Sequence, residues 1–98
     1  MYLYKFKRPD KTRPVVILSR KDVISLLLTV TVAPIISTIY GIPSDVIVGV
    51  DQGLKKTSAI NLDHVQTVVK NRLTNFIAHL DDTTMEKVCI ALKNAVSC

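Results

Sequence analysis

The sequence contains no tryptophan, three glycines, four prolines and two cysteines in 98 residues. So little glycine and proline excludes collagen-like and low-complexity chains, and glycines this scattered form no phosphate-cradling loop. Two cysteines outside any Cys-x-x-Cys pair make no disulfide scaffold and are expected as free thiols in a reducing compartment. Acidic residues are the scarce charge: eight Asp/Glu stand against thirteen Lys/Arg, a net charge of +5. A small basic domain is drawn to polyanions, whether RNA, DNA, an anionic membrane face or an acidic protein. Apolar residues are plentiful at 48%, which excludes disorder. The length allows one domain, residues 1–98, whose modest core favours oligomerisation.

Residues 23–44 carry no charged side chain, a stretch long enough to span a bilayer. It is interrupted by Ser25, Thr29, Thr31, Pro34, Ser37, Thr38, Gly41 and Pro43. Its middle, Leu28-Thr29-Val30-Thr31-Val32, alternates with period two. That is strand patterning and not a lipid-facing helix. No membrane span and no secretory leader are expected, and the cytoplasm follows as the expected location.

The same alternation predicts a strand over 2–6, carried by Tyr2, Tyr4 and Phe6. A basic loop over 7–13 follows, and Pro14 opens a strand, Val15 to Leu18, buried on both faces. A short helix over 22–27 would bury Val23, Leu26 and Leu27 on one face. Strands are predicted over 28–36 and 46–50, with a turn at Asp51-Gln52-Gly53. Residues 58–69 read as one strand or two short ones, with Ile60, Leu62, Val65 and Val68 inward, and 76–80 as another strand. Asp81 can cap a final helix, in which Met85, Val88, Cys89, Leu92, Ala95 and Val96 recur at three- and four-residue steps. The chain thus reads as mainly β with one helix (α+β): a small antiparallel sheet or barrel with an amphipathic helix packed on it.

Seven of the thirteen basic residues fall within the first 21 positions: Lys5, Lys7, Arg8, Lys11, Arg13, Arg20 and Lys21, opposed by Asp10 alone. They are expected to form one basic rim, either a solvated loop or a phosphate track. Tyr2, Tyr4 and Phe6 are core by their alternation, with base stacking as the alternative. His64, His79, Cys89 and Cys98 lack metal-ligand spacing. The polar string Asn61, Asp63, His64, Gln66 and Thr67 reads as a half-exposed strand. Adjacent strand residues point to opposite faces, so Asp63 and His64 are not expected to share a site.

Three blocks carry a resemblance. Thr12-Arg13-Pro14-Val15-Val16-Ile17-Leu18-Ser19-Arg20 resembles the RRPVLVLSR segment of the MazF/PemK toxins. Residues 30–43, from Val30-Thr31-Val32-Ala33-Pro34 to Gly41-Ile42-Pro43, resemble their VTVAPITSTIRGLP segment. Ser58-Ala59-Ile60-Asn61-Leu62-Asp63-His64-Val65-Gln66-Thr67-Val68 resembles their SAVNLDQLQTV segment. The blocks occur in register over nearly the whole chain, and together they are specific.

The resemblance implies the toxin of a type II toxin–antitoxin system, with an SH3-like (PemK/CcdB-like) β-barrel and a C-terminal amphipathic helix. It implies a homodimer that cuts single-stranded RNA, messenger RNA included, without metal or other cofactor. In that reaction the 2′-hydroxyl attacks the adjacent phosphate, leaving a 2′,3′-cyclic phosphate and a 5′-hydroxyl. It also implies an acidic antitoxin lying in the same groove. The family's key arginine precedes a proline, and Arg13 stands there. The family's usual threonine is replaced by Ile36, which has no hydrogen-bonding group. Thr38 is the expected substitute if strand geometry continues, with Ser37 second. Asp63 matches an acidic position of the family. Asn61 stands where some members carry an arginine, and Tyr40 replaces another arginine, offering a stacking surface. Lys7, Arg8, Lys11, Arg20, Tyr40, His64 and Gln66 are the expected RNA contacts. Because of Ile36, the alternative is a non-catalytic member of the fold that only binds RNA or an antitoxin.

Overall fold

A computed structural model of the chain describes residues 1–6 and 12–96. Its strands are β1 (Tyr2–Lys5), β2 (Thr12–Ile17), β3 (Thr29–Ile36), β4 (Asp45–Val48), β5 (Ser58–Asn61), β6 (Gln66–Val69) and β7 (Leu73–Phe76). Its helices are α1 (Lys21–Ile24) and α2 (Asp82–Ala95). Short 3-10 turns occupy Val50–Gln52, Leu62–His64 and Lys70–Arg72. Every strand pairing is antiparallel, and the path runs β4-β5-β3-β2-β1-β7 with β6 also on β3. The expected fold, mainly β with a C-terminal helix, is present, and among the described residues its seven-stranded antiparallel sheet is barrel-like without closing.

β3 organises the molecule. One edge pairs with β2, setting Val15 against Pro34 and Ile17 against Val32. The other edge is shared: Thr29 to Val32 pair with β6, while Ile35 and Ile36 pair with β5. The partner changes across Ala33-Pro34, where proline has no N–H to give a ladder. The predicted segment 58–69 accordingly resolves into two strands separated by the turn Leu62–His64. Ile60, Leu62 and Val68 point inward as predicted, and Val65 is half-buried.

The sheet carries apolar side chains on both faces. One cluster gathers Val16, Ala33, Ile35, Val46, Val48, Ile60 and Leu62 with Val88 and Ala91 of α2. The other gathers Tyr4, Val15, Val30, Val32 and Val68, with Phe6, Ile17, Ile24 and Leu73 around it. Alternate residues of β2 and β3 thus feed different clusters, and neighbouring Val15 and Val16 are both buried.

α2 begins where Asp81 Oδ1 accepts the Thr84 N–H at 2.7 Å. Its buried residues are Thr84, Val88 and Ala91. Cys89 and Val96, expected on the buried face, are exposed. The apolar face therefore centres on Val88 and Ala91, turned away from Cys89. α1 is also shorter than predicted: its turn ends near Ser25, and Leu26 and Leu27 lie exposed at 78% and 49%. The last strand lies at Leu73–Phe76, ahead of the predicted 76–80, because its partner β1 pairs Tyr4 with Leu73 and Tyr2 with Phe76. Gly53 closes the turn after β4 at φ +94, where an added Cβ would also lie 3.2 Å from Ala78 Cβ. No helix among the described residues is long and apolar enough to cross a membrane.

Candidate active site

Arg13 is the second residue of β2, paired with Tyr4 of β1 and followed by Pro14, which pairs with Leu3. Proline restricts the residue before it to extended backbone, the conformation a strand requires. The guanidinium is thus borne on a fixed sheet position. Two clefts open beside it. The larger, of about 670 Å3, is lined by apolar Leu3, Pro14, Ile35, Leu54 and Ile77, with Arg13, Lys55, Lys56, Ser37 and Ser58 among its polar lining. The smaller, of about 370 Å3, is lined by Phe6, Arg13, Pro34, Ile36, Tyr40, Asn61, His64 and Gln66. Both volumes fall in the range of small-ligand sites.

A hydrogen-bonded turn builds one wall of the smaller cleft. Asn61, 2% exposed, ends β5, and its Oδ1 accepts the Asp63 backbone N–H at 3.0 Å. That bond leaves the amide nitrogen facing His64, and Asn61 Nδ2 lies 2.7 Å from His64 Nδ1. The Ser44 hydroxyl donates to the Asp63 carboxylate, and the Leu62 N–H donates to the Ser44 carbonyl at 3.0 Å. These bonds tie the turn to the chain preceding β4. Tyr40 is anchored from the same side: its N–H donates to Asp45 Oδ2 at 3.0 Å, and Asp45 pairs with Asn61 across the β4–β5 ladder. Phe6, on the far side of the sequence, packs edge-on against Tyr4 with ring centroids 4.8 Å apart.

The expected site residues divide. Arg13, Tyr40, His64 and Gln66 meet at the smaller cleft, and Arg13 and Ser37 at the larger. Thr38 lines neither cleft. The alternation that would carry it to the face of Ile36 stops, because β3 ends at Ile36. Asp63 also lines neither, since its carboxylate is engaged by Ser44. Asp63 and His64 do part company as expected, but through the geometry of a 3-10 turn and not of a strand.

The single basic rim is also corrected. Arg20 lies past the far end of six-residue β2 from Arg13 and pairs with Asp22 at 3.7 Å, both side chains exposed. Lys7, Arg8 and Lys11 lie outside the described residues. Two cations that the sequence reading passed over, Lys55 and Lys56, join Arg13 instead. Their signal is a paired lysine directly after the Gly53 turn. No group of three or more His, Cys, Asp or Glu among the described residues is arranged to hold a metal ion.

Comparison with known proteins gives this geometry a context. Residues 2–96 match the family model described as PemK-like, MazF-like toxin of type II toxin-antitoxin system. The chain is 42% identical over 88 residues to the probable endoribonuclease MazF5 of Mycobacterium tuberculosis H37Rv, covering 88% of this chain and 80% of that protein. It is 37% identical over 86 residues to endoribonuclease MazF3 of the same organism, covering 88% and 84%. Among solved structures, the Mycobacterium tuberculosis toxin MazF-mt6 superposes with a TM-score of 0.88 at 34% identity, covering 96% of this chain and 92% of that one. A mycobacterial endoribonuclease solved in complex with its cognate antitoxin shares the fold at a TM-score of 0.81 and 23% identity, covering 96% and 89%. A match over nearly all its residues, in step with three motifs and a shared fold, makes this chain a member of the PemK/MazF family of type II toxin–antitoxin toxins.

Proposed function

We propose that the chain cuts single-stranded RNA by internal transesterification, with no metal ion, and that Arg13 stabilises the reacting phosphate. The observation that carries this reading is the position of Arg13 on the ridge between two clefts. RNA threaded across that ridge would set one phosphate against the guanidinium, with nucleotides on either side. In the reaction the 2′-oxygen bonds to phosphorus and the bond to the 5′-oxygen breaks. The 2′-hydroxyl loses a proton and the leaving 5′-oxygen gains one. The nucleophile belongs to the substrate, so the protein's task is to align it and bear charge. A guanidinium offers a rigid two-pronged fork to phosphate oxygens and stays charged. Ser37, which lines the larger cleft with Arg13, is the hydroxyl assigned to hydrogen-bond the phosphate. Asp63 takes a positioning role through Ser44 and Asn61. Lys55 and Lys56 extend the phosphate track.

The experiment is incubation of purified protein with long single-stranded RNA in excess chelator, followed by end-group analysis. Cyclic phosphate and 5′-hydroxyl ends, lost in Arg13→Ala, are expected. Cleavage undiminished in that variant, or dependent on added metal, overturns the reading.

Two partners belong to the same proposal. A cleft lined by apolar side chains together with Arg13, Lys55 and Lys56 suits an acidic, partly apolar antitoxin segment, in keeping with the relative solved with its antitoxin. A small core and exposed Leu26, Leu28, Ile47 and Val50 favour a homodimer. Sedimentation at micromolar concentration should give about twice 10.9 kDa. Such a protein would meet its RNA in the cytoplasm.

A second reading has one observation in its favour. Ile36, beside Arg13 on the ridge, supplies no hydrogen bond. On that reading the protein binds RNA or antitoxin without cutting, and restoring a hydroxyl at position 36 would switch cleavage on.

A further inference from the structure

We propose that His64 makes the smaller cleft a base-reading pocket that selects keto over amino bases, taking uracil over cytosine and guanine over adenine. This rests on the reading of the chain as an RNA-binding nuclease, and it assigns the pocket's chemistry.

The argument begins at Asn61. Its Oδ1 is occupied by a backbone N–H, a group that only donates, so the amide cannot be turned around without setting donor against donor. Nδ2 therefore faces the imidazole, and at 2.7 Å His64 Nδ1 must accept. The ring proton then resides on Nε2, the nitrogen on the other side of the ring. The buried amide thus fixes His64 as a donor at its free nitrogen.

The rest of the cleft is built for a base. Phe6 and Tyr40 supply aromatic faces of the kind on which unpaired bases stack. Arg13 at the ridge lies where an adjoining phosphate would sit. Gln66 carries an amide, and Tyr40 a hydroxyl, that can present either a donor or an acceptor. His64 offers only a donor there and, unlike Gln66 and Tyr40, cannot adapt. A carbonyl at the base edge, as in uracil or guanine, accepts from Nε2–H. The exocyclic amino group of cytosine or adenine at that point meets a second donor, and a bound base that covers the exposed His64 side chain leaves both unpaired. A mismatch of this kind discriminates about tenfold or more.

The probes are short 2′-deoxy oligonucleotides of uridine and of cytidine, which lack the internal nucleophile and cannot be cut. Oligo-deoxyuridine should bind about tenfold more tightly than oligo-deoxycytidine. In His64→Ala, and in His64→Gln, whose amide can turn to offer either an acceptor or a donor, the ratio should fall close to one. Nitrogen-15 spectra of the imidazole, taken in a His79→Gln background to leave one ring, should show Nε2 protonated and Nδ1 bare. Equal binding of the two oligonucleotides, no binding of either, a preference that survives in His64→Ala, or a proton on Nδ1 overturns the inference. Cleavage is scored separately. A protein that cuts RNA through Arg13 without discriminating uracil from cytosine keeps the nuclease and loses the pocket. One that discriminates without cutting does the reverse.

Discussion

Arg13 and Ile36 are the two residues that line both clefts, so a charged fork and an apolar side chain share the ridge between them. Arg13 comes from β2 and Ile36 from the end of β3, adjacent strands whose register sets Val15 against Pro34. A phosphate resting on this ridge would find strong charge from one neighbour and no hydrogen bond from the other. Catalysis here would lean on the guanidinium more heavily than in a site with a paired hydroxyl.

Arg13→Ala should lower the cleavage rate about 100- to 1000-fold, the effect of removing one preorganised donor to a developing oxyanion. Arg13→Lys should recover only part of the loss, because an ammonium is a point charge without the two-pronged geometry. Arg13 is half-buried and its strand is held by ladders on both sides, so neither change should unfold the chain. Single-turnover kinetics on a defined oligonucleotide, with circular dichroism as a control for folding, measures both.

Ile36→Thr replaces the ethyl group of a half-buried isoleucine with a hydroxyl on the ridge. It should cost about 1 kcal/mol of stability, in the range of small β-branched core changes. The cleavage rate should rise several-fold as the phosphate gains a second hydrogen-bond donor. A melting curve and the same oligonucleotide assay read the two effects. An unaltered rate would mean that position 36 does not approach the phosphate.

Much of this was legible in the sequence, and the exceptions have physical reasons. Alternation gives the buried Val30 and Val32 of β3, as the unbroken apolar run gives Val15 and Val16 of β2, because a strand's side chains obey a period of two wherever pairing continues and a strand covered on both faces is apolar throughout. It misleads at Thr38, where pairing has ended. The turn Leu62–His64 is hidden because the change of partner on β3 is a non-local event. The Asn61 side chain that stabilises the turn acts through a two-residue local bond that periodicity does not register. Helix periodicity places α2 but leaves its rotation open by about one residue. Thr84, Val88 and Ala91 are its buried residues, and Cys89 turns outward. Lys55 and Lys56 join Arg13 only because the chain after Gly53 folds back toward the start of β2.

Those two lysines predict a salt effect. If each neutralises one phosphate of a single strand, the slope of log affinity against log salt should become shallower by about 1.4 in Lys55→Ala/Lys56→Ala, from about 0.7 per phosphate. If the lysines contact backbone and not base edges, binding should weaken uniformly across sequences. Titrations of an uncleavable oligonucleotide at several salt concentrations measure the slope. A slope equal to that of the unmodified protein would remove the lysines from the track.

Asp81 predicts how the fold responds to acid. Hydrogen bonding from the Thr84 side chain and from its backbone N–H holds the Asp81 carboxyl below its ordinary value. A carboxyl with a depressed folded-state pKa binds its proton more readily when the chain is unfolded, so acid favours unfolding. Its contribution is complete above the unfolded value of about 4 and is lost as pH falls through the lower folded value. Asp81→Ala removes the cap and should melt at a lower temperature than the wild type at pH 7. The gap between them should stay constant down to the ordinary carboxylate range and then shrink. Asp81→Asn keeps an oxygen acceptor that does not titrate, so its advantage over Asp81→Ala should be the same across the series. Thermal melts from pH 7 to pH 2 separate the two contributions. A gap between wild type and Asp81→Ala that is unchanged at pH 2 would mean that the cap acts through its shape and not its charge.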